Sequence, residues 1–547
     1  MRENKKEEFS FFALREWPRR IVISIIPMRK TFFLLLALSV SSALALRAEL
    51  KLPAVVGDHM VLQQKQADPI WGWDNPGTKV TVTFAGKTYT GTAGSDGKWT
   101  VKLDPMPANA TPQTMTIAGS STRTVEDILI GEVWMCSGQS NMGFTLVQDW
   151  NGDLEAAASN LPGMRLIEAP TVGTQDLQND IKPGDRSRWK LVTPETAIRF
   201  TAVGFLFGRY IHEVLQVPVG LINNAWGGSA AEAWVRRSSL EQDPRFKPLM
   251  ERTVKQEQQL ESEKGKADFT KQMADWKAAV EKARAEKAPM PRQPNNWLEG
   301  NARPGNIFNG MVYPTLGYGI KGVIWYQGES NASRAYEYKS LFPFMIEQWR
   351  KEQGQGDFPF YWVQLTNFNP EKPNPGDSNW AELREAQTET MKLPNTGQAV
   401  IIDLGEGKDI HPRDKHDVAA RLVRWALVKD YGMKMVYRSP EFKSLAIEGN
   451  KATITINTFG SSLRPFGVAD ARGFAVCGSD HAWHWAKGKI VGKETVEVWS
   501  DEVATPVAVR YGWADNPVLN LFSNEGLPVT PFRTDQFPMT TDPKSKN

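Results

Sequence analysis

The 547 residues read as an α/β protein, a parallel sheet with helical crossovers flanked on both sides by β-rich regions. Three observations predict this. From Asp127 onward, short apolar runs at 323–326, 360–363 and 399–402 are interleaved with stretches of helical periodicity. Strands alternating with helices imply parallel pairing through crossovers. Before Asp127 and after about Tyr437 the apolar period shortens to two, with turn signals at short intervals, as in antiparallel β structure. Finally, 41% apolar and 23% charged residues belong to a folded protein, long enough for two or three domains.

Taken in order, residues 1–48 read as an upstream segment plus an export leader. Met28-Arg29-Lys30 is a short basic start, 31–40 an apolar stretch of signal-peptide length, and Ala43-Leu44-Ala45 a small-x-small cleavage site. The stretch is short for a membrane span, and nothing later is long and apolar enough for one, so the mature chain is expected to be exported, periplasmic or extracellular. Residues 1–45 also explain the net charge of +3. They hold eight Lys/Arg and four acids, and without them 57 bases face 58 acids. That balance argues against a nucleic-acid partner.

Residues 49–126 alternate through 79–84, 88–90 and 99–101, with a turn at Asp96-Gly97, and read as a small β-sandwich. Residues 127–436 form the α/β domain. Within it, 128–136 is a buried strand, 200–215 is an amphipathic helix, and 217–220 ends that helix before a strand at 221–224. An insertion at 241–300 is dense in Lys, Glu and Gln up to Lys287, with sparse apolar residues. It reads as helices with solvated outer faces, stopped by Pro289, Pro291 and Pro294. Residues 437–547, with alternation at 452–458, 495–499 and 506–511, form a C-terminal β-rich region. The two cysteines, Cys136 and Cys477, read as buried free thiols.

The chemistry gathers at turns that follow predicted strands. Ser140, in Gly138-Gln139-Ser140-Asn141-Met142, comes just after the 128–136 strand. A serine there stands at the carboxyl edge of a parallel sheet, where α/β proteins place ligands. As a bare feature, the same serine equally caps a helix. Met142 stands where a nucleophile elbow has its second glycine, which disfavours that strained turn. Of six histidines, His411 in Asp409-Ile410-His411-Pro412 has a carboxylate two residues before it, and Pro412 holds it extended. Such an imidazole can accept a serine proton, with Asp409 orienting it and Asp403, Glu406 and Asp414 as rivals. His59 and His416 sit in polar, loop-like settings, His212 on the helix, and His481 and His484 beside Trp483, so each reads as structural or solvated. No cofactor or metal is called for, since His411, Asp414 and His416 are a poor ligand set. Trp226-Gly227-Gly228-Ser229 and Gln327-Gly328-Glu329-Ser330-Asn331 also follow strands. Alone, each is turn chemistry. Together, all four stretches would meet at one sheet edge.

These four blocks resemble those of sialate O-acetylesterases, within the SGNH hydrolase superfamily. The resemblance extends to Met60-Val61-Leu62-Gln63 near the start, and to 510–517 and Gly526-Leu527-Pro528 near the end. It implies a flavodoxin-like core, a parallel sheet with helices on both faces, that removes acetyl groups from sugar hydroxyls through an acetyl-serine intermediate. It further implies Ser140 as nucleophile, His411 as base and acid, and Asp409 as its carboxylate. The oxyanion hole would be the N–H of Ser140, the N–H of Gly227 (or Gly228), and Gln327. Two departures stand out: Gln327 replaces the superfamily's usual Asn, and Asp-x-His replaces Asp-x-x-His. The partner expected is an acetylated sugar or glycan, most directly O-acetylated sialic acid; no oligomeric state is implied. Another acetylated glycan such as xylan, or a carbohydrate-binding protein without catalysis, are the competing readings. Twenty tryptophans suit sugar stacking, although Trp71, Trp73 and Trp99 sit where a sandwich core needs bulk.

Overall fold

The computed structural model describes residues 49–546, so the leader read at 28–45 lies outside the described residues. A 17-residue strand, β1 (Thr122–Gly138), organises the rest. Its first half pairs antiparallel with Asn109–Ala118 and, at residues 129–131, parallel with Val61–Gln63. Its second half is the centre of a parallel sheet. The strand thus outruns the 128–136 expectation at both ends. Arg123 and Glu126 are exposed there, so the apolar signal stops while backbone pairing continues.

Five strands complete the parallel sheet: β2 (Leu161–Glu168), β3 (Val219–Asn223), β4 (Gly322–Tyr326), β5 (Phe360–Val363) and β6 (Thr396–Ala399). Their spatial order is β2-β3-β1-β4-β5-β6, and Lys190–Val192 adds an antiparallel edge beside β2. Two boundaries differ from expectation. β3 starts at Val219, because Val219 and Gly220 already pair with Glu132 and Val133. β6 ends at Ala399, where it pairs with Val363. Val400, Ile401 and Ile402 are buried without ladder partners, and an apolar run reports burial and not pairing.

Side chains of the sheet alternate between two cores, as a pleat requires. Trp134, Cys136, Ile324, Tyr326, Tyr361 and Val363 face one. Helices α1 (Ala202–Leu215) and α6 (Lys415–Lys429) cover it with Phe205, Leu206, Val418 and Leu422. Met135, Val323, Trp325, Phe360 and Trp362 face the other. There α4 (Ala335–Gln353) and α5 (Asn379–Glu389) contribute Phe342, Met345, Trp349 and Leu383. Both thiols are free and buried. The charged insertion forms α2 (Lys247–Glu261) and α3 (Glu263–Glu286), and α3 buries little beyond Ala283.

C-terminally, seven antiparallel strands from Glu441–Glu448 to Phe532–Arg533 enclose a core of Ile454, Val498, Val476 and Val509. Arg384 of α5 ties this sheet to the parallel one. Its fully buried guanidinium donates to the carbonyls of Leu365 (2.9 Å), Thr366 (2.8 Å), Ala514 (2.7 Å) and Asp515 (2.9 Å). Among the described residues, no helix is long and apolar enough to cross a membrane.

Candidate active site

Register alone brings three of the four blocks together. Gly138 pairs with Tyr326, and Cys136 with Asn223, so the turns after β1, β3 and β4 leave the sheet at one level. The chain also passes from β3 to β4 on opposite sides of β1. The carboxyl end of β1 is therefore a switch point, where α/β sheets open a crevice.

Ser140 begins a single helical turn directly after β1. Gly138 permits the approach: its φ is 135°, and a Cβ there would stand 2.2 Å from the Tyr326 carbonyl oxygen. His411 reaches Ser140 from the loop between β6 and α6, with Nε2 2.8 Å from the serine Oγ. Asp409 Oδ1 accepts the His411 backbone N–H at 2.9 Å and lies 3.3 Å from Nδ1. One carboxylate oxygen thus holds both backbone and ring, which is how the short Asp-x-His spacing reaches the imidazole. The other carboxylates are occupied elsewhere. Asp403 pairs with Arg421 (2.6 and 2.7 Å), Glu406 accepts from the Arg413 N–H, and Asp414 caps α6. Asp409 remains 55% exposed, so its attraction for the ring is weakened by water.

Gly227 lies against Ser140: a Cβ there would be 3.3 Å from the serine's own. The Asn301 side-chain amide donates to its carbonyl, fixing the peptide. Gly228 adopts φ 71°, which glycine reaches without strain. As the first residue of its helical turn, Ser140 has no intrahelical partner for its N–H.

Gln327 has a different setting from the one its motif suggests. The side chain is fully buried, and Nε2 donates to Ser229 O (3.0 Å) and Asn331 Oδ1 (2.8 Å). Its Oε1 accepts from the Tyr338 hydroxyl at 3.0 Å. Both amide hydrogens are committed, so no donor is left for an oxyanion in this arrangement.

The other histidines are engaged apart from Ser140. His59 bonds Asp127 (2.6 Å) and His212 the Val217 carbonyl (2.7 Å), while His484 approaches Glu502 and His481 packs on Phe537. His416 is in the first turn of α6 and not in a loop, facing Asp149 and Glu155. Three residues given no role at the sequence level also adjoin the site: Asn141, Glu329 and Lys415. Asn141 and Glu329 lie inside the recognised blocks, but Lys415 follows His411 with only its charge as a signal.

An alcohol bonded to an imidazole beside a carboxylate, at the carboxyl edge of a parallel sheet, is the arrangement that serine hydrolases use. Comparison with known proteins narrows the class. Residues 130–279 and 295–420 match the model of the family described as carbohydrate esterase, sialic acid-specific acetylesterase. The sialate O-acetylesterase of Mus musculus is 30% identical over 84% of this chain and 89% of its own. That of Homo sapiens is 29% identical over 88% and 92%. A crystal structure of a carbohydrate acetylesterase from Xanthomonas citri aligns with TM-score 0.75 and 37% identity, covering 89% of this chain and all of the other. The chain belongs to the sialic acid-specific acetylesterase family of carbohydrate esterases. It is a carboxylic ester hydrolase that removes O-acetyl groups from carbohydrate.

Proposed function

We propose that the protein hydrolyses O-acetyl esters of sialic acid through an acetyl enzyme, with Ser140, His411 and Asp409 as its triad. The observation that carries this reading is the 2.8 Å contact between His411 Nε2 and Ser140 Oγ. Ser140 Oγ attacks the acetyl carbonyl while His411 Nε2 takes its proton. The tetrahedral oxyanion accepts from the N–H groups of Ser140 and Gly227. Collapse breaks the bond to the sugar oxygen, which leaves with the proton from His411. Water, deprotonated by the same imidazole, then releases acetate and restores the serine. General acid–base help of this kind supplies about 10²–10⁴-fold.

The names of the mammalian relatives support the sugar. So does a cleft of about 650 Å³ lined by Trp226, the residue before Gly227, with Gln178, Asn179 and Lys182. An aromatic face beside hydrogen-bonding groups suits a pyranose ring. The strand order, a central β1 with later strands built outward on either side, supports a flavodoxin-like SGNH core at 127–436 between β-rich domains at 49–126 and 437–547. The leader-like segment at 28–45 supports export to the periplasm or beyond. Acetate release from O-acetylated sialic acid, acetylated xylan and a simple aryl acetate tests the substrate. Sialic acid esters should be turned over with the highest kcat/KM, and a preference for xylan would reject that assignment. Ser140→Ala should lower turnover by at least about 10⁴-fold in a folded protein and abolish fluorophosphonate labelling.

A further inference from the structure

Lys415 joins the turn that carries Ser140 to the turn after β4 and to the loop that carries His411. It opens α6, is fully buried, and donates from Nζ to Asn141 Oδ1 at 2.7 Å. Asn141, next to Ser140 and equally buried, donates from Nδ2 to Glu329 Oε1 (2.7 Å) and to the Ile410 carbonyl (3.0 Å). One side-chain amide therefore bridges an ammonium, a carboxylate and the backbone beside His411. The ammonium also lies 4.6 Å from the centroid of Phe144 and 5.3 Å from that of Tyr326. Phe144 in turn packs nearly parallel to the His411 ring, 6.4 Å between centroids.

Such a group is expensive to keep. Burial pushes the Lys415 ammonium down to about 7 against the opposing pull of Glu329, and burial pushes Glu329 up. The second Glu329 oxygen is buried without a hydrogen-bond partner. A hydrophobic side chain would fill the space beside two aromatic rings without these costs. The hydrogen-bond directions fit the charged pair, since the lysine donates, the amide relays, and the carboxylate accepts.

We propose that Lys415 is a positioning residue. Through Asn141 its ammonium locks the Ser140 turn to the His411 loop, and it supplies the counter-charge that lets Glu329 stand as a carboxylate near the imidazole. The charged neighbours are Glu329 from the β4 turn, Asp149 (whose Oδ1 accepts the Lys415 backbone N–H), and Asp409 and Asp414 from its own loop. His416 faces Asp149 from the other side.

This inference rests on the Ser140–His411 mechanism, and the test separates the two. Lys415→Met and Lys415→Gln are assayed on an aryl acetate across pH, with fluorophosphonate labelling and thermal unfolding alongside. A misplacement of the serine and imidazole by about 1 Å costs about 10²-fold. The expected result is therefore a kcat lowered about 10²-fold with KM within about twofold. Loss of the cation lets the buried Glu329 take up a proton, so the imidazole loses a neighbouring carboxylate. The acid limb of kcat/KM should therefore move to lower pH, with Lys415→Met combined with Glu329→Gln moving it no further. Folded variants with wild-type kcat and an unmoved acid limb overturn the proposal while leaving the triad intact. Failure of the unaltered enzyme to label at Ser140 overturns the triad itself. Should neither lysine variant fold, Glu329→Gln decides alone: an acid limb moved to lower pH supports the pairing, and an unmoved limb overturns it.

Discussion

Gln327, in the turn after β4, has its amide turned inward, where it links Ser229, Asn331 and Tyr338. Removing it leaves buried partners unsatisfied, each worth about 1–3 kcal/mol. Gln327→Ala should therefore lower the unfolding free energy by about 2–4 kcal/mol in a denaturant titration, with activity falling only as far as the turn loosens. A variant of unchanged stability with a kcat about 10²-fold lower would instead assign the amide to the oxyanion. The comparison shows what residue-level reading can see. That Ser140, His411 and Asp409 come together was legible because few side chain types could serve acyl transfer, and these three stretches carry them. Gln327 was legible as a residue of the site, but the direction of its amide was not. That direction depends on Tyr338 and Asn331, and only burial reveals which partners remain. Lys415 was illegible for the same reason, since a lysine in a polar stretch ordinarily reads as solvated.

At the scale of elements, β1 does two jobs, pairing with the N-terminal sheet along its first half and the parallel sheet along its second. The turn at its end depends on Gly138. A methyl at this position would meet the Tyr326 carbonyl at 2.2 Å, and φ 135° disfavours any other residue. Gly138→Ala should either fail to fold or lose more than about 3 kcal/mol, with β4 forced away from β1. Soluble protein with wild-type melting and turnover would show that the edge can yield. Periodicity located five of the six parallel strands and missed Leu161–Glu168, and the ends of those it found moved. Val219 and Gly220 joined β3 because a proline stops a strand no earlier than its own position. Residues 400–402 left β6 because burial produces the same apolar run as pairing. The insertion helices appeared as expected, since a charged segment with few apolar residues can bury only one narrow side.

Polar groups are buried at the seams between the β regions and the central sheet. Arg384 is one, and Asp68 is another. Asp68 lies near Gln66 and Gly319, buried, with one oxygen unpaired. Burial raises its carboxyl from 3.8 to about 7. A raised pKa means that the folded state holds the proton more tightly than the unfolded chain. The stabilisation is therefore complete below pH 3.8 and is lost as pH rises through about 7. Asp68→Asn, which keeps the shape without the charge, should raise the unfolding free energy at pH 8 by about 2–4 kcal/mol, by less than half of that at pH 5, and hardly at all below pH 3.8. Equal effects at all three pH values would place the ionisation elsewhere.

The amino-acid sequence by itself determined the α/β class, the flanking β regions and which serine and histidine meet at the sheet edge. These follow from local periodicity and from which side chain types acyl transfer would need. Tertiary structure decided which carboxylate stands beside His411, where the Gln327 amide points, and that a buried lysine lies next to the Ser140 turn. Each of these depends on solvent exclusion and on hydrogen-bond partners brought from distant turns, and neither exists until the sheet has set its register.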